Sequence, residues 1–140
     1  MKTRFLFTLV LLLAMPLMML ACGPTQAVIA AFSQAYPSVD VKTVRWSGGH
    51  GQPYVANFSL EGKSATASFD ATGILQETAS QVDPETLPAA AREYVAKNCA
   101  APVIHEAMVT RDASGTVKGY AATACTNVRM VFDKAGTFVQ

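Results

Sequence analysis

The stretch Phe69-Asp70-Ala71-Thr72-Gly73 (FDATG) returns 63 residues later as Phe132-Asp133-Lys134-Ala135-Gly136 (FDKAG). In each copy the Asp side chain can accept backbone N–H groups of its own turn. The Gly can take the left-handed backbone that a tight turn needs, and the Phe before the Asp points inward. This is the chemistry of a turn between antiparallel strands. Its recurrence decides the fold, because what surrounds it recurs too.

Before the first copy, Tyr54, Ala56, Phe58 and Leu60 alternate strictly, as a strand buried on one face does. Glu61-Gly62 reads as a hairpin turn. Ala65, Ala67 and Phe69 alternate again, and Ile74 to Ser80 reads as a fourth strand. Upstream, residues 39–46 (VDVKTVRW) alternate with a slip of phase at Lys42-Thr43, which predicts a bulged first strand ended by the loop SGGHG, residues 47–51. Val28, Ile29, Phe32, Ala35 and Tyr36 follow a helical period between a capping Thr25 and a terminating Pro37. The order then restarts. Asp83-Pro84 and Leu87-Pro88 are helix-start chemistry, and Leu87, Ala91, Tyr94, Val95 and Asn98 share one helical face. Residues 103–109, 117–124 and 128–133 read as strands, DASG (112–115) as a turn, and TFVQ (137–140) as a last short strand. Tyr54 pairs off with Tyr120, and Phe32 with Tyr94. The predicted fold class is therefore α+β: a tandem duplication of a helix plus four-stranded antiparallel sheet unit, with repeats at about 25–80 and 83–140.

Residues 1–21 stand outside this pattern. Lys2 and Arg4 precede the apolar run FLFTLVLLLAMPLMMLA, the layout of an export signal, and the run is short for a spanning helix. MLAC, Met19 to Cys22, then resembles a bacterial lipobox, which implies a lipid-modified Cys22 as the first mature residue. Gly23 in place of Asp after that Cys implies an outer-membrane lipoprotein on the periplasmic side of the envelope. An ordinary signal cut, for example after Ala27, is the alternative and would leave a secreted soluble protein. The whole chain has 140 residues, 51% apolar, 15% charged, net charge +1. Removing residues 1–21 leaves nine basic and ten acidic residues, a balance that excludes a nucleic-acid binder working by bulk charge. The length excludes a large doubly wound cofactor fold, and the apolar content excludes full disorder.

Beyond Cys22, only Cys99 and Cys125 remain, in a chain addressed to an oxidising space. We expect them to form a disulfide, with two buried free thiols as the competing reading. A metal site is not expected, since His50 and His105 are far apart and no Cys-x-x-Cys exists. Catalytic residues are not expected either. There is no G-x-S-x-G elbow, and His105 and Glu106 adjoin on a strand and so face opposite sides. The loop SGGHG lacks the Lys-Ser or Lys-Thr and the helix of a phosphate loop, because Gln52-Pro53 and a strand follow. No cofactor is expected. Candidate partner-binding residues are Arg45, Trp46, His50 and Tyr54, since Trp and Arg are enriched at interface anchors, and His50 lies within the glycine loop that the other three flank. For Trp46 the alternation with Val44 favours the core instead. Asn57-Phe58-Ser59 fits the glycosylation pattern, but Phe58 reads as core.

Residues 26–140 resemble the PepSY-like periplasmic proteins, whose fold is akin to that of β-lactamase-inhibitor protein. The resemblance rests on AYP (35–37), the strand with Val44 and Trp46, the Tyr54-to-Phe58 strand, FDATG with Gln76-Glu77-Thr78, the Leu87-Pro88 helix start and FDKAG. The second copy departs from the pattern at Ala121-Ala122-Thr123-Ala124, and Cys99/Cys125 is a local addition. The resemblance implies a secreted, non-catalytic module that binds or restrains an exported protein or peptide partner. A structural or envelope-maintenance lipoprotein without a tight partner is the rival.

Overall fold

The computed structural model of the protein describes residues 23–140; the export signal and Cys22 lie outside the described residues. Helix α1 (Gln26–Ala35) is followed by strands β1 (Arg45–Gly49), β2 (Gln52–Leu60), β3 (Lys63–Phe69) and β4 (Leu75–Val82). Helix α2 (Ala89–Asn98) precedes β5 (Glu106–Asp112), β6 (Val117–Ala124) and β7 (Val128–Asp133). The α+β class is as expected.

The sheet is not two four-stranded units. All seven strands form one antiparallel sheet in sequence order, because β4 pairs with β5 from Glu77↔Asp112 to Val82↔Ala107. That pairing satisfies backbone groups that two separate sheets would each leave on an open edge. The expected eighth strand, TFVQ, is a single bridge, Phe132↔Phe138, with Val139 N–H donating to the Val131 carbonyl beyond it.

Three further expectations are corrected. The 39–46 strand starts only at Arg45. Val41–Thr43 turns as a short 3₁₀ segment instead, since the Asp40 side chain accepts the Lys42 N–H at 2.9 Å and draws the chain round. The segment SGGHG is the hairpin connection expected, but shorter than its five residues, for β1 runs through Gly49 and only His50 and Gly51 turn. A Cβ on Gly49 would press on the Tyr54 ring at 3.0 Å, and one on Gly48 would overlap the Pro53 carbonyl. Both also hold positive φ, so glycine is required there by space and by backbone. The 103–109 strand begins later and runs on to Asp112.

Both helices lie on one face. Val28 and Phe32 of α1 pack with Ala56, Phe58, Ala65, Ala67 and Phe69. Ala91 and Val95 of α2 pack with Ala107, Ala122, Ala124, Met130 and Phe132. The register carries one face through the junction: Ala65 opposes Ser80, which opposes Val109. The two buried clusters share no residue. Two predicted inward positions differ. Ala35 and Asn98 are exposed, each at the last residue of its helix, where the chain leaves the sheet.

Candidate binding surface

The face opposite the helices is set by period two. Because Ala65, Ala67 and Phe69 face α1, Ser64, Thr66 and Ser68 face away. Register extends this across the sheet. Arg45, Asn57, Thr66, Ala79, Thr110 and Gly119 follow one another from β1 to β6. Ser64 donates its backbone N–H to the Gln81 side chain on the same side. A second line, Met108–Ala121–Val131, is apolar, and Met108 and Ala121 are buried. Lys118 and Glu77 form an ion pair across this face, and the carboxylate holds the Lys118 ammonium above its ordinary range, by hydrogen bond first and by charge second. The surface is thus small, polar and regular over β1–β4, and more apolar over β5–β7.

The four residues singled out as partner contacts do not converge. Arg45 is exposed on the open face. Trp46, its neighbour, points the other way and meets Phe32 edge-on, with ring centroids 5.5 Å apart. Tyr54 also lies on the helix side, at the margin of the first core. His50 is exposed at the β1–β2 turn with φ 55°. Tyr54 helps line a shallow depression of about 200 Å³ with Gly51, Gln52, Pro53, Asp70 and Ala71. It is open and small against the volume of small-molecule sites, which run from about 300 Å³. The aromatic contacts gather under the helices: Phe32 alone meets Tyr36, Trp46, Phe58 and Phe69. The open-face residues were missed because no motif marks them. Their signal was the polar half of each alternation, such as Ser64-Thr66-Ser68.

Cys99 and Cys125 are disulfide-bonded, with Cα atoms 5.1 Å apart. The bond ties the end of α2 to the β6–β7 turn. Among the described residues no three His, Cys, Asp or Glu side chains gather as metal ligands, and no helix is long and apolar enough to cross a membrane.

The turns at one end of the sheet repeat one design three times. Asp70 Oδ1 accepts the N–H groups of Thr72 and Ile74, at 2.9 and 3.0 Å. Asp112 Oδ1 takes those of Ser114 and Thr116, at 2.9 and 3.0 Å, and Asp133 Oδ1 those of Ala135 and Thr137, both at 2.9 Å. These bonds favour the ionised form and hold all three carboxyls below the ordinary range. The largest cause is the Thr72 hydroxyl at Asp70, the Ser114 hydroxyl at Asp112 and the Thr137 N–H at Asp133. DASG (112–115) is therefore a third copy of the turn, beyond the pair visible as FDATG and FDKAG.

No protein-family model matches the chain, and no curated protein matches it in sequence. Solved structures do match its fold. A Bacteroides eggerthii protein assigned to the periplasm superposes with TM-score 0.65 at 17% identity, over 84% of this chain and 86% of that one. A BLIP-like protein from Bacteroides fragilis gives 0.54 at 19%, over 84% of each chain. A DUF2874 family protein from Bacteroides ovatus gives 0.60 at 20%, over 84% and 85%. The chain therefore has a BLIP-like α+β fold.

Proposed function

We propose that this protein is an exported, lipid-anchored, non-catalytic module that binds a protein or peptide partner in the cell envelope through its open sheet face. The observation that carries this reading is the one-sided helix layer: α1 and α2 cover the same face, and neither covers the other. An antiparallel sheet can leave one face in water, so the open face alone is no anomaly. Its ordered Ser and Thr positions, beside the half-buried Val131, are what it presents to a partner, since Met108 and Ala121 of the same apolar line are buried. Fold likeness to periplasmic and BLIP-like proteins and the PepSY-like resemblance point the same way.

The proposal includes lipid attachment at Cys22 and residence on the periplasmic side of the outer membrane. Intact mass of the native protein tests both: loss of residues 1–21 with added acyl mass is expected, and an unmodified chain starting after Ala27 would overturn the anchor. It also takes residues 25–80 and 83–140 as copies of one unit, supported by buried positions 63 residues apart, Val28/Ala91, Phe32/Val95 and Phe69/Phe132, which match Phe32 with Val95 in place of the expected, half-buried Tyr94. Binding is tested by cross-linked pull-down from the native envelope, comparing wild type with Thr66→Arg/Thr110→Arg. One stoichiometric exported protein, lost in the variant, is the expected result. A partner retained equally by the variant would move the site elsewhere. No specific partner at all would favour the structural lipoprotein.

A further inference from the structure

The two helices are held down at their C-terminal ends by different chemistry. Tyr36 caps α1 and Cys99 caps α2, each donating its backbone N–H to the fourth residue back, Phe32 or Val95. Tyr36 lies on the Phe58 ring, with centroids 4.7 Å apart. The strand position matching Phe58, four residues beyond the Tyr that opposes the turn Phe, is Ala124 in the second half. A methyl group offers no clamp, and the next residue, Cys125, supplies the bond to Cys99 instead. The rest of the α2 contact lies away from this end: Leu87, Ala91 and Val95 pack with Ala107, Ala122, Ala124, Met130 and Phe132, and Tyr94 meets Phe132 and Phe138 at mid-helix. Cys125 and Asn127 both hold left-handed backbone, φ 52° and 67°, in the turn that the bond secures. For side-chain-bearing residues that conformation is costly and persists when its surroundings enforce it.

We propose that Cys99–Cys125 is a thiol–disulfide exchange site that locks α2, so that its reduction frees α2 and residues 99–105 from the sheet while the first half stays closed. The separate buried clusters allow this, since neither core uses a residue of the other. Cys125 is the more exposed of the pair and is the sulfur attacked. A thiolate of an exported dithiol protein bonds to the Cys125 sulfur, the S–S bond breaks, and Cys99 leaves as a thiolate that takes a proton. The second thiolate of the dithiol then attacks its own partner sulfur and releases Cys125, also protonated. The chain gains two electrons and two protons, and the dithiol becomes a disulfide. The inference does not depend on the open-face reading, because it concerns the helix side.

The test is hydrogen exchange on the intact chain, oxidised and in dithiothreitol, with Cys99→Ser/Cys125→Ser as a reagent-free counterpart. Amides of Ala89–Asn98 are expected to exchange on the order of a hundredfold faster once the bond is gone, from the chain freedom it withheld. Amides of α1 are expected to keep their rates, and the variant to match the reduced protein. Unchanged α2 rates overturn the proposal. Equal loss in both helices, or a variant that fails to fold, also overturns it, because the bond would then stabilise the whole molecule.

Discussion

The halves 25–80 and 83–140 each set one helix on one face of antiparallel strands, four in the first and three in the second, and fill that space differently. In the first, Phe32 is fully buried and meets four rings. In the second, Val95 is also buried, over Ala122 and Ala124; Tyr94 meets Phe132 and Phe138, and a disulfide holds the end of the helix where Tyr36 lies on Phe58 in the first. One geometry can therefore be held by side-chain volume or by a covalent link. The first does not depend on redox state and the second does.

Truncation sharpens this contrast most. Phe32→Ala is expected to cost about 4 kcal/mol, since it removes a ring that four others surround. Val95→Ala is expected to cost about 2 kcal/mol, with fewer atoms lost. Urea unfolding of both variants checks the order. Equal costs would mean that the second core is packed as heavily as the first.

The three Asp-Gly turns give a control within the molecule. Gly73, Gly115 and Gly136 all have φ between 86° and 89°. A Cβ on Gly73 would sit 2.6 Å from the Ala27 carbonyl oxygen of α1, and one on Gly136 would sit 2.6 Å from Pro88 Cβ at the start of α2. At Gly115 there is open space. Gly115→Ala should therefore cost about 1 kcal/mol from backbone strain alone. Gly73→Ala and Gly136→Ala should cost about 2–3 kcal/mol, because the helix must also shift. Thermal midpoints of the three variants check the difference. A Gly115→Ala cost equal to the other two would deny any role to the helix contacts.

The smallest expected effect is on pH dependence. The folded-state pKa of Asp70, Asp112 and Asp133 lies below the unfolded value. Their contribution is thus complete above about pH 4, the unfolded value, and is lost as pH falls through the folded one. Asp70→Asn and Asp112→Asn should flatten the acid limb of a stability-against-pH curve more than Asp133→Asn. Asp133 faces Ala135 where the other two face a hydroxyl that is the largest cause of their shift, and the Thr137 hydroxyl is only a lesser cause at Asp133. Equal flattening by all three would show that backbone N–H groups account for the effect.

Much of the fold was legible because burial on one face writes itself as alternation. Residues 117–124 and 128–133 are strands as read, and Thr25 caps α1 through its side chain. The Cys99–Cys125 bond followed from cysteine count and compartment. What was not legible was how the halves join. Whether β4 pairs with β5 depends on two strands separated by a helix, and period two looks the same in one sheet or two. The 3₁₀ turn at Val41–Thr43 was hidden for a local reason: alternating valines outweighed the Asp40 side chain that bends the chain. The proposed binding surface was the least legible part. No motif marks its polar positions, whereas Trp46 lies against the core as its alternation with Val44 favours, and Tyr54 lies at the margin of that core.

The central claim, that the open sheet face is the partner surface, is most directly tested by photo-cross-linking in the native envelope. A photoreactive side chain is placed in turn at Thr66 and Thr110 on the open face, and at Arg92 and Lys97 on exposed positions of α2. The account predicts one exported protein cross-linked from Thr66 and Thr110 and little or none from α2. Cross-links to that protein from α2, with none from the sheet, would contradict it.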